Sequence, residues 1–483
     1  MAAGPAAGAV TVAVIGGGWA GLAAATELTC AGVPVTVFEA APQWGGRARR
    51  STIRLGDDAV SLDNGQHLLL GAYTECLRLI ERVHEAPAPA RDGSPAAPSR
   101  AGAPIPLARR RMHIATSRGL LVRRVALPGP AGILLGLIGA RGLSRGERWA
   151  LVRLLGALRW RGWRGFDGLT VAQLLDRFAQ PPQLQARLWD PLCIAALNTA
   201  MDEACAQSFV NVLRDSLGAP GGASDFLIPT TTLGALFPEP AATWLSARGA
   251  TLRLRTPVRR IEAPAAAGAA WRVVADAPTP GEPGSEEFAA IVLAVPPPNA
   301  ARLLAAAAPR VTALLGAFEF DSIATVYLGW RDGPDVPQVA MLVEDPQREH
   351  YGQWFFDRGR HAGWHVGAVV ISAHGRRAAL APELLAQRIA AQLAAQLRVP
   401  LADATRVLTE KRATWRCVPR RPRLTPDACA GETPRLHGLW LAGDHVHPDY
   451  PATLEGAVRS GVAAARAVVQ SLGGTPAAPE VRR

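Results

Sequence analysis

Val10-Thr11-Val12-Ala13-Val14-Ile15-Gly16-Gly17-Gly18-Trp19-Ala20-Gly21 is a β-branched apolar run that ends in a glycine turn, and together with the helix and strand after it this stretch decides the fold. Apolar residues recur at helical spacing from Trp19 to Ala31, and Val33 to Phe38 returns to a β-branched run, so the opening reads strand, helix, strand. Gly16-Gly17-Gly18-Trp19-Ala20-Gly21 satisfies GxGxxG at the strand-to-helix turn. There Gly16 permits the tight bend, Gly18 lets backbone approach a pyrophosphate, and Gly21 lets helix and strand pack closely. Amides at the start of the helix, around Trp19 and Ala20, point N–H donors at the phosphates. Glu39 ends the second strand 18 residues beyond Gly21, followed by Ala40, where a carboxylate can accept hydrogen bonds from ribose hydroxyls. The unit therefore binds an adenine dinucleotide, which at this point is either NAD or FAD.

Just past the acidic strand stands a second glycine turn, Gly45-Gly46-Arg47-Ala48-Arg49, whose backbone and guanidinium would add another clamp on the pyrophosphate. With 49% hydrophobic and 19% charged residues, the 483-residue chain is globular and long enough for two domains. Its formal charge of +12 comes from arginine, since Lys411 is the single lysine. No nucleic-acid motif accompanies those arginines, so nucleic acid is not an expected partner. Cys30, Cys76, Cys193, Cys205, Cys417 and Cys429 form no CxxC pair, which indicates neither a metal site nor a disulfide framework and fits a reducing cytoplasm. The first apolar run leads into a glycine loop rather than a cleavage site, so no signal peptide is expected. The stretch Val125 to Ala140 holds two prolines and falls short of the ~20 residues of a spanning helix.

Farther along, residues 86–106 are an Ala/Pro/Ser/Gly stretch that reads as a mobile surface insertion. Residues from about 127 to 220 read as mostly helical. Val258 to Ile261, Trp271 to Ala275 and Ala290 to Val295 read as strands, Trp440 to Ala442 as one more, and Leu454 to Gln470 as a helix rich in small residues.

The paired glycine motifs resemble those of the amine oxidase and phytoene desaturase superfamily of flavoproteins, which implies FAD as the cofactor. The far end agrees with that resemblance. An apolar run, Leu439 to Ala442, leads into Gly443-Asp444, and Thr453-Leu454-Glu455-Gly456 opens a helix whose amides could face the flavin pyrimidine edge and stabilise negative charge there. In such a family Asp444 would bind the ribityl or phosphate region and Val258 would meet adenine through its backbone, with Gln66 and His67 beside the ring. The expected fold is α/β: a Rossmann-like FAD-binding domain built from discontinuous segments, 1–85, 250–300 and 430–472, with an intertwined α+β substrate domain of 107–249 and 301–429. The tail, 473–483, is expected to fray.

A narrower resemblance lies in Leu62-Asp63-Asn64-Gly65-Gln66-His67-Leu68-Leu69-Leu70-Gly71-Ala72-Tyr73, in Trp189 to Thr199, in Val212 to Asp215, and in Tyr450 to Gly461. These segments look like the hydroxysqualene dehydroxylases of hopanoid biosynthesis. That resemblance implies removal of an allylic hydroxyl from an apolar isoprenoid alcohol, with reduced flavin supplying hydride and an external reductant, whose chemistry the sequence does not name, renewing it. An acid near the leaving oxygen would help. His67 is the first candidate and Asp225 the second. The alternative for His67 is to position the ring by hydrogen bonding, and Asp63, Asn198, Arg214 and Asp225 could equally form structural networks. Trp189, Leu192, Ile194, Phe209 and Phe226 are candidates to line an apolar pocket or simply to pack the core. A carotenoid-type desaturase, an amine oxidase and a flavin-free prenyl-lipid escort protein are the competing readings. The intact set Gly16, Gly18, Gly21, Glu39, Gly46 and Arg47 favours an enzyme over the last.

After the apolar residues 127–143 come Arg145, Arg148, Arg153, Arg159, Arg161 and Arg164, interleaved with Trp149, Trp160 and Trp163. Arginine can hold lipid phosphates while tryptophan sits at the headgroup boundary. The expected location is therefore cytoplasmic, peripheral on the inner face of a bacterial membrane. The alternative is an ordinary amphipathic helix with its arginines in solvent.

Overall fold

The computed structural model describes residues 11–85, 105–116, 119–123, 125, 127, 131–219, 222–266, 269–276, 284–373 and 380–474. The insertion expected at 86–106 thus lies outside the described residues apart from its last two, as does the tail beyond residue 474.

Val12–Ile15, Val35–Phe38 and Ala290–Leu293 are buried at every position, which is why they read as unbroken apolar runs. They form the centre of a five-stranded parallel sheet in the order 251–253, 35–38, 12–15, 290–293, 439–441. Strands from the beginning, the middle and the far end of the chain therefore share one hydrogen-bonded ladder. The helix Trp19–Cys30 packs on this sheet and is crossed by the helix Leu454–Ser471. Gly461 makes that crossing possible, because a Cβ there would lie 2.1 Å from the Ala20 carbonyl oxygen. The helix Pro238–Ser246 also packs against Trp19–Cys30, with Phe237 and Trp244 in the same core as Val12 and Val37. Between sheet strands 251–253 and 290–293 the chain makes a three-stranded antiparallel flap of 258–262, 271–275 and 285–288.

A second, five-stranded antiparallel sheet runs 339–341, 354–361, 364–371, 320–330, 404–415. The segment from 131 to 217 is helical, with helices that include Ala131–Ile138, Arg145–Trp160, Asp190–Leu197 and Ala206–Leu217. A small antiparallel sheet of 69–70, 226–229 and 107–110 joins three segments distant in sequence. This is the α/β architecture expected from the motifs, with an α+β portion threaded through it. All six cysteines are unbridged and five are buried. No helix among the described residues is long and apolar enough to cross a membrane.

Candidate flavin and substrate site

The two glycine turns stand back to back. Gly18 forms an isolated parallel bridge with Gly45, and the Gly45 N–H donates to the Gly17 carbonyl at 2.9 Å. Gly16 has φ +112°, and a Cβ on it would sit 2.3 Å from the Ala294 carbonyl oxygen. A Cβ on Gly21 would sit 1.9 Å from the Gly16 carbonyl oxygen. Those two glycines are thus required by the packing of turn, strand and helix. Gly18 differs, since a Cβ there would meet nothing nearer than the Gly46 Cα at 3.8 Å. Its missing side chain leaves a space rather than relieving a clash, as a turn that receives a ligand demands.

Glu39 closes the end of its strand by accepting from the N–H groups of Gly17 at 2.6 Å and Ala41 at 2.8 Å, which leaves lone pairs on both oxygens for a ribose. Ala40 beside it is exposed. The Trp19 side chain is structural: its indole donates to the Ala48 carbonyl at 3.0 Å and its ring packs on Phe237. Trp19 and Ala20 are left to act through backbone. Val258 opens the flap, and its carbonyl accepts from the Arg302 guanidinium at 3.2 Å.

The hairpin Arg50–Leu55/Asp58–Asp63 joins the second glycine turn to the Gly65-Gln66-His67 loop, and its register pairs Arg50 with Asp63. Its open end therefore brings Arg49 and Asn64 together, with the Asn64 N–H donating to the Arg49 carbonyl at 2.9 Å. From the other end of the chain comes Asp444, whose Oδ2 accepts from Arg47 at 2.8 Å. The second Arg47 arm donates to the Ala413 carbonyl at 2.7 Å. Gly443 reaches φ +143°, and its N–H is held by the Ser460 hydroxyl at 2.8 Å. Thr453 caps the helix Leu454–Ser471 through the Gly456 N–H at 3.1 Å.

Burial alone would raise the Asp444 pKa, but the adjacent Arg47 charge, the hydrogen bonds and His445 override it and push it down to about 2. This is a folded value below the unfolded one of ~3.9, so its contribution, about 2.5 kcal/mol, is present above that pH and lost as the pH falls towards 2. Urea unfolding of the parent and of Asp444→Asn is therefore expected to differ at neutral pH and to converge between about pH 4 and pH 2. A gap that does not narrow over that interval would contradict the assignment.

His67 is held by a 2.7 Å contact between Nδ1 and the Gly65 carbonyl, so Nδ1 carries the proton and Nε2 presents a lone pair. Burial holds its pKa below the ordinary imidazole value, the Arg47 charge acts in the same direction, and only the Gly65 carbonyl opposes them. The ring is thus neutral at pH 7. Asp225 is placed by the small sheet: its carbonyl accepts from the Gly71 N–H at 2.9 Å, and its carboxylate lies 3.3 Å from the Arg109 guanidinium. Asp225 stands opposite Gly71, four residues along the chain from His67. The two candidates flank the small sheet, His67 before Leu69–Leu70 and Asp225 before Phe226–Pro229.

The remaining polar candidates are tied into the fold. Asp63 accepts from the Leu233 N–H at 2.6 Å and faces the buried Arg358 at 3.6 Å, and burial raises its pKa to about 6 against the pull of Arg358 and that N–H. Asn198, at φ +48°, donates to the Thr414 hydroxyl and accepts from the Ala373 N–H. Arg214 pairs with Asp215 at 2.6 Å, and Asp215 in turn accepts from the Tyr450 hydroxyl. Trp189, Phe209 and Phe226 sit within the large core, with Trp189 and Phe209 edge to face, so these three serve as packing residues.

Two contributors were not read from the sequence. The strand Ala404–Trp415 braces the site from behind, since Asn64 donates to Glu410, Arg47 to Ala413 and Asn198 to Thr414. Glu455 is fully buried and accepts from the N–H groups of Glu75 and Cys76 at 3.1 and 2.9 Å and from Arg459 at 2.6 Å. It joins the start of the helix Thr74–His84 to that of Leu454–Ser471. The (i, i+4) spacing of Glu455 and Arg459 is visible in the sequence, but the capped helix lies some 380 positions away.

FAD fits these residues. Gln66 Oε1 is buried without a hydrogen-bond partner, Asp444 Oδ1 has only the His445 ring 3.7 Å away, and the Gly18–Gly46 face has room for phosphates. Such orphaned buried acceptors call for donors from a ligand. The family of flavin containing amine oxidoreductases matches residues 19–469 of the chain. A hydroxysqualene dehydroxylase of Sinorhizobium fredii is 30% identical over 473 residues, covering 94% of this chain and 97% of that one. Another from Rhodopseudomonas palustris is 30% identical over 469 residues, covering 95% and 98%. Among solved structures, cyclohexylamine oxidase from Brevibacterium oxydans superposes with a TM-score of 0.65 at 16% identity, over 96% of this chain and 100% of that one, a likeness of fold. The protein is accordingly an FAD-dependent oxidoreductase that belongs to the flavin containing amine oxidoreductase family, with hydroxysqualene dehydroxylases as its relatives over nearly its whole length.

Proposed function

We propose that the protein converts hydroxysqualene to squalene by reductive dehydroxylation, as a step of hopanoid biosynthesis. The observation that carries this reading is the near full-length likeness to two hydroxysqualene dehydroxylases. The allylic C–O bond breaks, the oxygen leaves as water after gaining a proton, and a hydride takes its place on carbon. Bound FAD, in its reduced form, supplies that hydride.

The protein's own residues do the rest. Gly16, Gly18, Gly45 and Gly46, with Glu39, would hold the adenine dinucleotide, and Asp444, fixed by Arg47, would hold its ribityl or phosphate region. The flavin unit would consist of 1–85, 250–300 and 430–472, with the helix Pro238–Ser246 added because it packs on Trp19–Cys30. The substrate unit would take the remainder of 107–249 and 301–429. His67, neutral and fixed through Nδ1, would accept a hydrogen bond from the substrate hydroxyl at Nε2 and so orient the leaving oxygen. With no proton at Nε2, His67 does not supply the acid expected from the sequence, and Asp225, beside Arg109, is the candidate that would deliver the proton to that oxygen.

Prereduced protein incubated with hydroxysqualene is expected to yield squalene, identified by mass. Absence of squalene from prereduced, flavin-loaded protein would overturn the reading, and desaturation of an isoprenoid by the protein with oxidised flavin would favour a desaturase instead. His67→Ala is expected to keep its flavin and lose ~10-fold in single-turnover rate, the effect of one orienting hydrogen bond. An undiminished rate would remove His67 from the reaction.

A further inference from the structure

The helix Arg145–Trp160 has a clean inward face: Glu147, Ala150, Leu151, Leu154 and Leu158 are buried. At 100° per residue, the opposite face carries Arg145, Trp149, Arg153, Gly156 and Trp160 in one stripe. An outward face of a soluble helix is ordinarily polar. Here Trp149 is 66% exposed and Trp160 92% exposed, about 16 Å apart along the helix. They belong to a concentration of such residues: of the ten exposed large hydrophobic side chains among the described residues, six fall between positions 125 and 160. Two of these, Leu135 and Ile138, stand on the helix Ala131–Ile138, which packs against this one.

The exposed charge of the helix itself has one sign. Arg145, Arg159, Arg161 and Arg164 are exposed. Arg148 and Arg153 are turned to carbonyls of Ala140 and of Phe178 and Ala179. The one acidic residue of the helix, Glu147, is buried and spends its carboxylate on the Ser144 N–H of its own capping box. Tryptophan has an apolar body and a single N–H, and prefers the boundary between headgroups and acyl chains, while free guanidinium groups hold phosphates.

We propose that the outer face of the helix Arg145–Trp160, together with Leu135 and Ile138, is a docking surface for an anionic lipid bilayer. Trp149 and Trp160 enter the headgroup boundary, and Arg145, Arg159, Arg161 and Arg164 bind lipid phosphates around them. The attachment is shallow and reversible, as a surface without a spanning helix requires. It stands independently of the dehydroxylation reading.

Flotation of the flavin-loaded protein with phosphatidylglycerol vesicles and with phosphatidylcholine vesicles tests it. Binding is expected to the anionic vesicles at low salt and to weaken as ionic strength rises. The pair Trp149→Ser and Trp160→Ser is expected to lower the bound-to-free ratio roughly tenfold or more. The pair Arg145→Gln and Arg159→Gln is expected to lower it by about fivefold for each charge removed. Turnover of detergent-dispersed substrate and flavin content should stay at parent values in both variants, so a failure of binding and a failure of the proposed activity are separate results. Absence of parent binding to anionic vesicles at low salt would overturn the proposal. So would binding that neither pair diminishes, or a sedimentation change showing that the tryptophans join two copies of the chain.

Discussion

Gly18→Val is expected to give a folded protein that has lost its flavin. The neighbouring glycines separate fold from ligand, because side chains on Gly16 and Gly21 would collide with backbone carbonyl oxygens at 2.3 and 1.9 Å, and such variants should fail to fold. At Gly18 the nearest atom to an added Cβ is 3.8 Å away, so the protein itself tolerates it. A branched side chain would instead fill the space facing Gly46 that the pyrophosphate needs. A steric penalty of ~3 kcal/mol corresponds to roughly 100-fold in affinity. The measurement is flavin per protein from absorbance, beside a thermal melt of the apoprotein. A parent-like melt with little flavin is expected, and normal flavin content would sink the assignment of the turn.

For Glu455→Ala we expect a loss of stability of ~3 kcal/mol, since removing one partner of a buried ion pair leaves the other uncompensated. The low end of the usual range applies because the Arg459 side chain keeps 28% of its exposure. The change also strips the acceptor from two N–H groups at the start of Thr74–His84. Glu455→Gln, which retains an acceptor, should recover part of the loss. Denaturant midpoints of the apoproteins decide the matter, and an alanine variant within about 1 kcal/mol of the parent would contradict it.

What could be read from the chain depended on how local the cause was. Val12–Ile15 and Val35–Phe38 are buried on both faces, so their composition alone marks them as strands of a parallel sheet. The glycine turns, Glu39 and Gly443-Asp444 are legible because backbone that approaches a dinucleotide admits few residue types. Ala404–Trp415 escaped notice because it is a long edge strand carrying Arg406, Glu410, Lys411 and Arg412 with much of its surface exposed. Its place is set by pairing with Phe320–Trp330 instead of by its own pattern. Asp63 and Glu455 likewise gain their roles from backbone N–H groups far away in sequence. His67 was visible as a residue beside the expected ring, but its neutral state arises from burial and from Arg47, which a motif does not display.

The parallel ladder that joins Val12–Ile15 to Leu439–Leu441 through Ala290–Leu293 also sets a schedule for synthesis. Asp444 is made roughly 400 residues after Gly16, some 20 to 80 seconds at ordinary elongation rates. Until Ala290–Leu293 is made, Val12–Ile15 has no partner on one edge; from then on Ala290–Leu293 itself lacks Leu439–Leu441, and Arg47 has no Asp444. The nascent chain must therefore keep a buried-type sheet edge and an apolar helix face covered by other means until the last strand closes the sheet.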